Sequence, residues 1–281
     1  MDVQHLTRRF RAVWNLARTD GPESEVSKVW LLRNAKQKDR HFASAMRYAM
    51  SREGEYTKIT IGNEVFLWPA DRPAASALIL LSELLTEDHP HQYVWGPTRI
   101  AKDDIVLDIG ACEGSFAALM TGRGNRVIAV EPSRTMCKLI RELFKIRSQP
   151  CPMIKECLLG DRCTTVYFAE NAENPGASRM CKQSEEGAYA VPMITLDELG
   201  EELDAKPTFI KCDAEGAANS IFSGGLSFLA RYKPKLAIAT YHTDREYRQL
   251  YDLLKAIGYQ VQGKGLLLSG DRFRVMMLHA T

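Results

Sequence analysis

The chain has 281 residues, a formal net charge of +2 and 45% apolar residues. That length suits one α/β domain with an extension and supplies a sizeable core, and so small a charge does not by itself point to nucleic acid. Its seven cysteines (112, 137, 151, 157, 163, 181 and 212) are odd in number and include no Cys-x-x-Cys pair, which argues against a disulfide framework or a zinc site and for free thiols in a reducing, cytoplasmic setting. No apolar run reaches membrane-spanning length, and the charged N-terminus predicts no secretory leader.

Residues 1–50 read as helical. Leu6, Phe10, Val13, Trp14 and Ala17 share one face, with Arg8, Arg9, Arg11 and Arg18 largely off it, and Asp20-Gly21-Pro22 interrupts the pattern. This predicts a helix packed on the main domain with a solvated basic face. A hairpin is expected at Tyr56–Ile61 and Glu64–Trp68 around Gly62-Asn63, and a helix over Ala74–Leu85. His89-Pro90-His91 reads as a plain connecting turn. The extension, 1–95, gives way to a second unit, 96–281.

From Asp104 onward, strand and helix patterns alternate. Strands are expected at Ile105–Asp108, Arg126–Val130, Met153–Leu159, Thr208–Cys212 and Lys235–Thr240. Thr164–Phe168 reads as a short extra strand, and residues 170–190 as a long polar loop able to act as a lid. Helices are expected near 133–147, from Asn219, and over Glu246–Ile257 with Gly258 as cap. Tyr259–Val261 and Arg274–Leu278 form a closing antiparallel pair. Such alternation predicts a parallel sheet with helices on both faces and a ligand beyond the carboxyl ends of its strands. Asp108, Glu131, Asp213, Glu215 and His242 all fall at those ends.

The first of these strands runs into Asp108-Ile109-Gly110-Ala111-Cys112-Glu113-Gly114, a tight glycine loop before a helix. A dinucleotide fingerprint would want glycine at 112 and 115, where Cys112 and Ser115 stand, and no Gly-Lys-Ser/Thr follows to make a P-loop. The pattern suits S-adenosylmethionine (SAM) better. Asp108 would face its methionine part, Gly110, Ala111 and Gly114 would pack backbone against it, and Glu131, about 20 residues on, would hold the ribose hydroxyls. Asp161, after the third strand, is a candidate acceptor for the adenine amino group.

These segments resemble the FkbM family of SAM-dependent methyltransferases. The resemblance is carried by Val106–Gly114, Val130-Glu131-Pro132, Ile194–Leu199, Ile210-Lys211-Cys212-Asp213-Ala214-Glu215-Gly216-Ala217, Pro234-Lys235-Leu236 and His242, in family order over about 95–280. It implies a Rossmann-like, seven-stranded methyltransferase sheet, SAM as donor, and a hydroxyl or carboxyl group on a small molecule or glycan as acceptor. Cys112 stands where the family commonly has Asn, and Ala218 where it often has a carboxylate. The rival reading is a non-catalytic binding protein on the same fold. A homo-oligomer is left open.

SAM carries a reactive methyl group, so the protein must place the acceptor in line, exclude water and remove a proton. His242, Asp213 and Glu215 are the candidates for that base. No metal ligand set is expected.

Overall fold

The structure, a computed structural model, describes residues 11, 22–23, 46–171, 178–269 and 272–281. Most of the predicted N-terminal helix therefore lies outside the described residues. At its end, Tyr48–Met50 belong to a strand, not a helix.

Three strands open the described chain: β1 (Tyr48–Glu53), β2 (Tyr56–Ile61) and β3 (Glu64–Pro69). They form an antiparallel meander in which Ile61 faces Glu64 across the Gly62-Asn63 turn, as the alternation predicts. Ile59, Phe66 and Trp68 pack on Ala77 and Leu81 of α1 (Ala74–Leu85), which gives this hairpin its own small core.

The main sheet follows: β4 (Ile105–Ile109), β5 (Arg126–Val130), β6 (Met153–Lys155), β11 (Phe209–Cys212), β12 (Lys235–Ala239), β13 (Val261–Ser269) and β14 (Arg272–Ala280). Their order is β13-β14-β12-β11-β4-β5-β6, and only β14 runs against the other six. Each central strand is buried on both faces by alternation. Val106, Val127, Phe209 and Ala237 pack towards α2 (Ser115–Gly122) and α3 (Arg134–Ile146). Leu107, Ile128, Ile210 and Leu236 pack with the opposite layer: α4 (Leu196–Glu202), α5 (Ala218–Ser223), α6 (Leu226–Tyr232) and α7 (Glu246–Ala256). Period-two side chains between two helix layers explain the near-continuous apolar runs of these strands. The fold is the Rossmann-like one expected.

Local chemistry sets the helix starts. Ser133 caps α3, its hydroxyl accepting from the Met136 N–H at 3.1 Å, and Thr195 caps α4 through the Glu198 N–H at 3.0 Å. The carboxylate of Asp197, part of the Ile194–Leu199 signature, accepts from the Phe228 N–H at 2.7 Å at the start of α6. That residue of the signature is therefore structural.

Two expectations are corrected. The predicted third strand is two strands: β6 stays in the main sheet, while β7 (Leu158–Gly160) leaves it after the Glu156-Cys157 turn. There it joins a second sheet, ordered β7-β10-β8-β9, with β8 (Thr164–Ala169), β9 (Arg179–Cys181) and β10 (Tyr189–Thr195). The polar segment 170–190 is accordingly not one loop. Backbone pairing of Arg179–Cys181 with β8 overrides its loop-like composition, and residues 172–177 lie outside the described residues.

Candidate active site

Strand order reverses at β4: β5 and β6 lie on one side, β11 and β12 on the other. The crevice at such a switch point is where an open α/β sheet binds ligands. A cavity of about 550 Å³ occupies it, within the range of small-molecule sites.

At one end the cavity touches the glycine loop and β5. Gly110 has φ +70°, and a Cβ there would sit 1.9 Å from the Asp213 carbonyl oxygen, so glycine is what lets the β4 and β11 loops meet. Ala111, Cys112 and Glu113 line the cavity. Gly114 does not; with φ +81°, its bare Cα faces Ile140 of α3, where a Cβ would come within 2.9 Å, and its role is helix packing. Glu131 lines the cavity and braces the loop, its carboxylate accepting from the Cys112 N–H at 2.8 Å and the Ser133 N–H at 2.9 Å. Burial pushes its carboxyl up to about 7, against the pull of those two N–H groups.

Asp108 is 0% exposed and does not line the cavity. It stands opposite Lys211 in the β4–β11 register, 2.9 Å from its ammonium. Lys211 also donates to the Gly110 carbonyl at 2.5 Å. Burial works against that ammonium, but Asp108 and Asp213 hold it charged. The pair ties the loop to β11 from beneath. Asp161, expected beside the adenine, is likewise outside the cavity lining. Its half-exposed carboxylate lies 3.6 Å from Arg162, because the turn after β7 carries it to the surface.

At the other end the structure brings Asp213, Glu215 and His242 together. The His242 Nε2 lies 3.3 Å from Asp213 Oδ1 and 3.4 Å from Glu215 Oε2, and its Nδ1 lies 3.6 Å from Glu246 Oε2. Burial alone would lower the imidazole, yet these carboxylates push it up to about 10. His242 therefore keeps its proton near neutral pH, and it does not line the cavity. Three acids thus surround His242 as charge partners. Asp213 is shifted the other way. Burial would raise its carboxyl, but His242, His91 and Lys211 hold it well below the usual carboxylate range. Glu215 differs. Its backbone is left-handed, with φ +45°, its side chain lines the cavity at 52% exposure, and burial pushes its carboxyl up.

Three residues of this end were given no site role from the sequence. Tyr93 donates to Asp213 Oδ2 at 2.6 Å and lines the cavity. His91, fully buried, has Nε2 3.8 Å from the same oxygen and Nδ1 2.7 Å from Glu83 of α1. The ring of Tyr241 stacks on His242 at 4.4 Å and meets His91 edge-on at 5.3 Å. The segment is the connecting turn expected, but it also carries His91 and Tyr93 to Asp213. The density of polar, chemistry-bearing side chains at His89, His91 and Tyr93 is the signal that could have shown it.

The profile of the methyltransferase FkbM domain matches residues 108–261, more than half of the chain. The chain belongs to this family. A solved FkbM methyltransferase from Methylobacillus flagellatus KT is 20% identical with a TM-score of 0.50, over 74% of this chain and 54% of that one. The chain thus spans about half the length of that relative, and the likeness establishes the fold. Aeropyrum pernix fibrillarin with bound SAM is 11% identical over 84% of this chain and 100% of its own, at a TM-score of 0.38. The tRNA (uracil-54, C5)-methyltransferase of Pyrococcus abyssi, in complex with S-adenosyl-L-homocysteine, is 11% identical over 82% of this chain and 44% of its own, at 0.44. No curated protein matches the chain.

The FkbM match covers both ends of the cavity floor but not its roof. Tyr93, His91, Glu83 and Trp68 all precede residue 108. The described thiols are free, and among the described residues no helix is long and apolar enough to cross a membrane.

Proposed function

We propose that this FkbM protein transfers the methyl group of SAM to a hydroxyl oxygen, with Glu215 taking the proton. The observation that carries the reading is the cavity itself. It joins a bare backbone edge at Gly110 and the buried Glu131 carboxylate to a second carboxylate, Glu215, at its far end. The first end fits a nucleoside: Gly110 has no side chain in the way, and Glu131 has lone pairs left beyond its two backbone N–H donors. Gly110, Ala111 and Glu131 would hold the cofactor, with Gly114, Asp108 and Lys211 fixing the loop from behind. When bound, SAM supplies an electrophilic methyl group.

The residues around Glu215 do the rest. The carboxylate accepts the hydroxyl proton as the new O–C bond forms and the C–S bond breaks, leaving a neutral thioether. Its upward shift brings it closer to a working base at neutral pH than the pinned Asp213. Tyr93 and His242 hold Asp213 in place, and His242 steadies Glu215. The α1 wall excludes water. A carboxyl acceptor is disfavoured, because it would enter among Glu83, Asp213 and Glu215.

Calorimetry with SAM and with NAD tests the donor: SAM should bind and NAD should not, and absence of SAM binding overturns the reading. Incubation of a cell extract with isotopically labelled SAM then tests turnover. Glu215→Gln should keep SAM affinity within a few-fold and cut transfer by about 10²–10⁴. A labelled ether should appear with the native protein. Binding without any labelled product would favour the non-catalytic alternative.

A further inference from the structure

Resting on the methyl-transfer reading, we propose that the acceptor is a neutral alcohol on an apolar body, seated against α1, and that residues 68–84 choose it. Trp68, Pro73, Ile79, Leu80 and Leu84 form one wall of the cavity. The helical members recur at the spacing of one α-helical face. The polar members of this wall are Ser76 and Glu83, and Glu83 already faces His91 at 2.7 Å. Ile79 is 47% exposed, unusually open for so apolar a side chain, so the apolar surface continues to the rim.

Charge and hydrogen bonding decide among the acceptor classes. A bare sugar would press several hydroxyls against this wall with few partners, and buried polar groups left unpaired are costly. A carboxylate would meet Glu83, Asp213 and Glu215, while Lys211, the cation lining the cavity, is engaged by Asp108 and Gly110. An amine would enter as its ammonium, which the same carboxylates stabilise, and in that form its nitrogen has no lone pair for attack. A hydroxyl with an apolar tail meets none of these obstacles. All the wall residues precede residue 108, outside the matched FkbM segment, so acceptor choice in this chain is set by its own preceding segment.

The test uses primary alcohols as probes, from butan-1-ol to octan-1-ol, titrated into protein saturated with S-adenosylhomocysteine. Affinity should rise about fourfold per added methylene, the gain expected for moving one into an apolar site. Octan-1-ol should bind at least tenfold more tightly than octanoate or methyl glucoside. Ile79→Glu should flatten the end of the series, with Ile79→Ser as the milder variant, while S-adenosylhomocysteine affinity stays within about twofold. A flat series in the native protein, octanoate or methyl glucoside matching octan-1-ol, or an unchanged slope in both variants overturns the proposal. Failure of S-adenosylhomocysteine itself to bind would instead overturn the donor assignment, and the alcohol series can still be read without it.

Discussion

The two ends of the cavity are built by different means. The donor end is local: one strand, one loop and one helix start, with Glu131 only 19 residues from the Cys112 N–H that it accepts from. It works through backbone shape and the buried carboxylates of Asp108, Glu113 and Glu131. The acceptor end is assembled from distant parts. Tyr93 reaches Asp213 across 120 residues, and α1, the 89–95 connector and the loops after β11 and β12 all contribute. It works through a charge lattice of two imidazoles and four carboxylates. Chain geometry can fix the first, whereas only tertiary packing can fix the second.

If so, the acceptor end should be the more fragile of the two. His242→Gln leaves Glu246 without the imidazole that faces it and takes from Asp213 one of the three cations that hold it. Removing one partner of a buried pair costs about 3–5 kcal/mol, and chemical denaturation should show a loss of that order. The native protein should show the linked pH dependence. His242 is raised from the ordinary 6.5 to about 10. Its stabilisation is therefore complete below about 6.5 and lost as pH rises through 10. Equal stability of variant and native protein at pH 6 would remove the lattice from the account.

Gly110→Ala breaks the comparison from the other side, because this glycine is where the two ends touch. The added Cβ would lie 1.9 Å from the Asp213 carbonyl oxygen, at a residue with φ +70°. Backbone must move, and the cost should be about 2–4 kcal/mol, by analogy with other strained positions. Both SAM affinity and the Asp213–Tyr93 contact should suffer together. A variant that lost only one of the two would show the ends to be independent.

This contrast also explains what could be read beforehand. The main sheet and the strand, loop and helix between Ile105 and Glu131 were legible because period-two burial and glycine loops are written in adjacent residues, whereas β9 and β10 of the second sheet were not. The helical spacing of α1 was legible too, but not that its apolar face looks into a cavity. His91 and Tyr93 were missed because a short Pro-containing segment has the composition of a turn, while its partners lie on α1 and β11. His242 was found, but not Glu246 beside it. An imidazole's basicity depends on Glu246 and Asp213 around it, and no local pattern reports that. Lys211 was visible only as one residue of the Ile210–Ala217 segment, and its register opposite Asp108 makes it a brace.

The donor end offers a smaller, cleaner effect. Glu131→Gln would remove the charged acceptor proposed for ribose hydroxyls and turn an amide N–H towards the Cys112 or Ser133 N–H. The loss should be about 1.5–3 kcal/mol of SAM affinity, with global stability changed much less than in His242→Gln. Unchanged affinity would place the ribose elsewhere.

The smallest effect concerns protons. In the free protein Glu131 sits at about 7, raised by burial from the ordinary 4.5. On the proposed assignment, ribose hydroxyls would donate to the ionised carboxylate, so SAM binding would favour that form and lower its pKa. At pH 8 the carboxyl is already ionised, and binding costs no proton. At pH 6 it is mostly protonated, and the proton must leave as SAM enters. SAM affinity should therefore be flat above about pH 7.5 and fall towards tenfold per unit below 6.5. Proton release, read by calorimetry in buffers of different ionisation enthalpy, should appear over the same range. In Glu131→Gln that slope should vanish. Affinity that rose on acidification, or a slope that survived the substitution, would mean that another group carries the proton and that Glu131 serves only to brace the glycine loop.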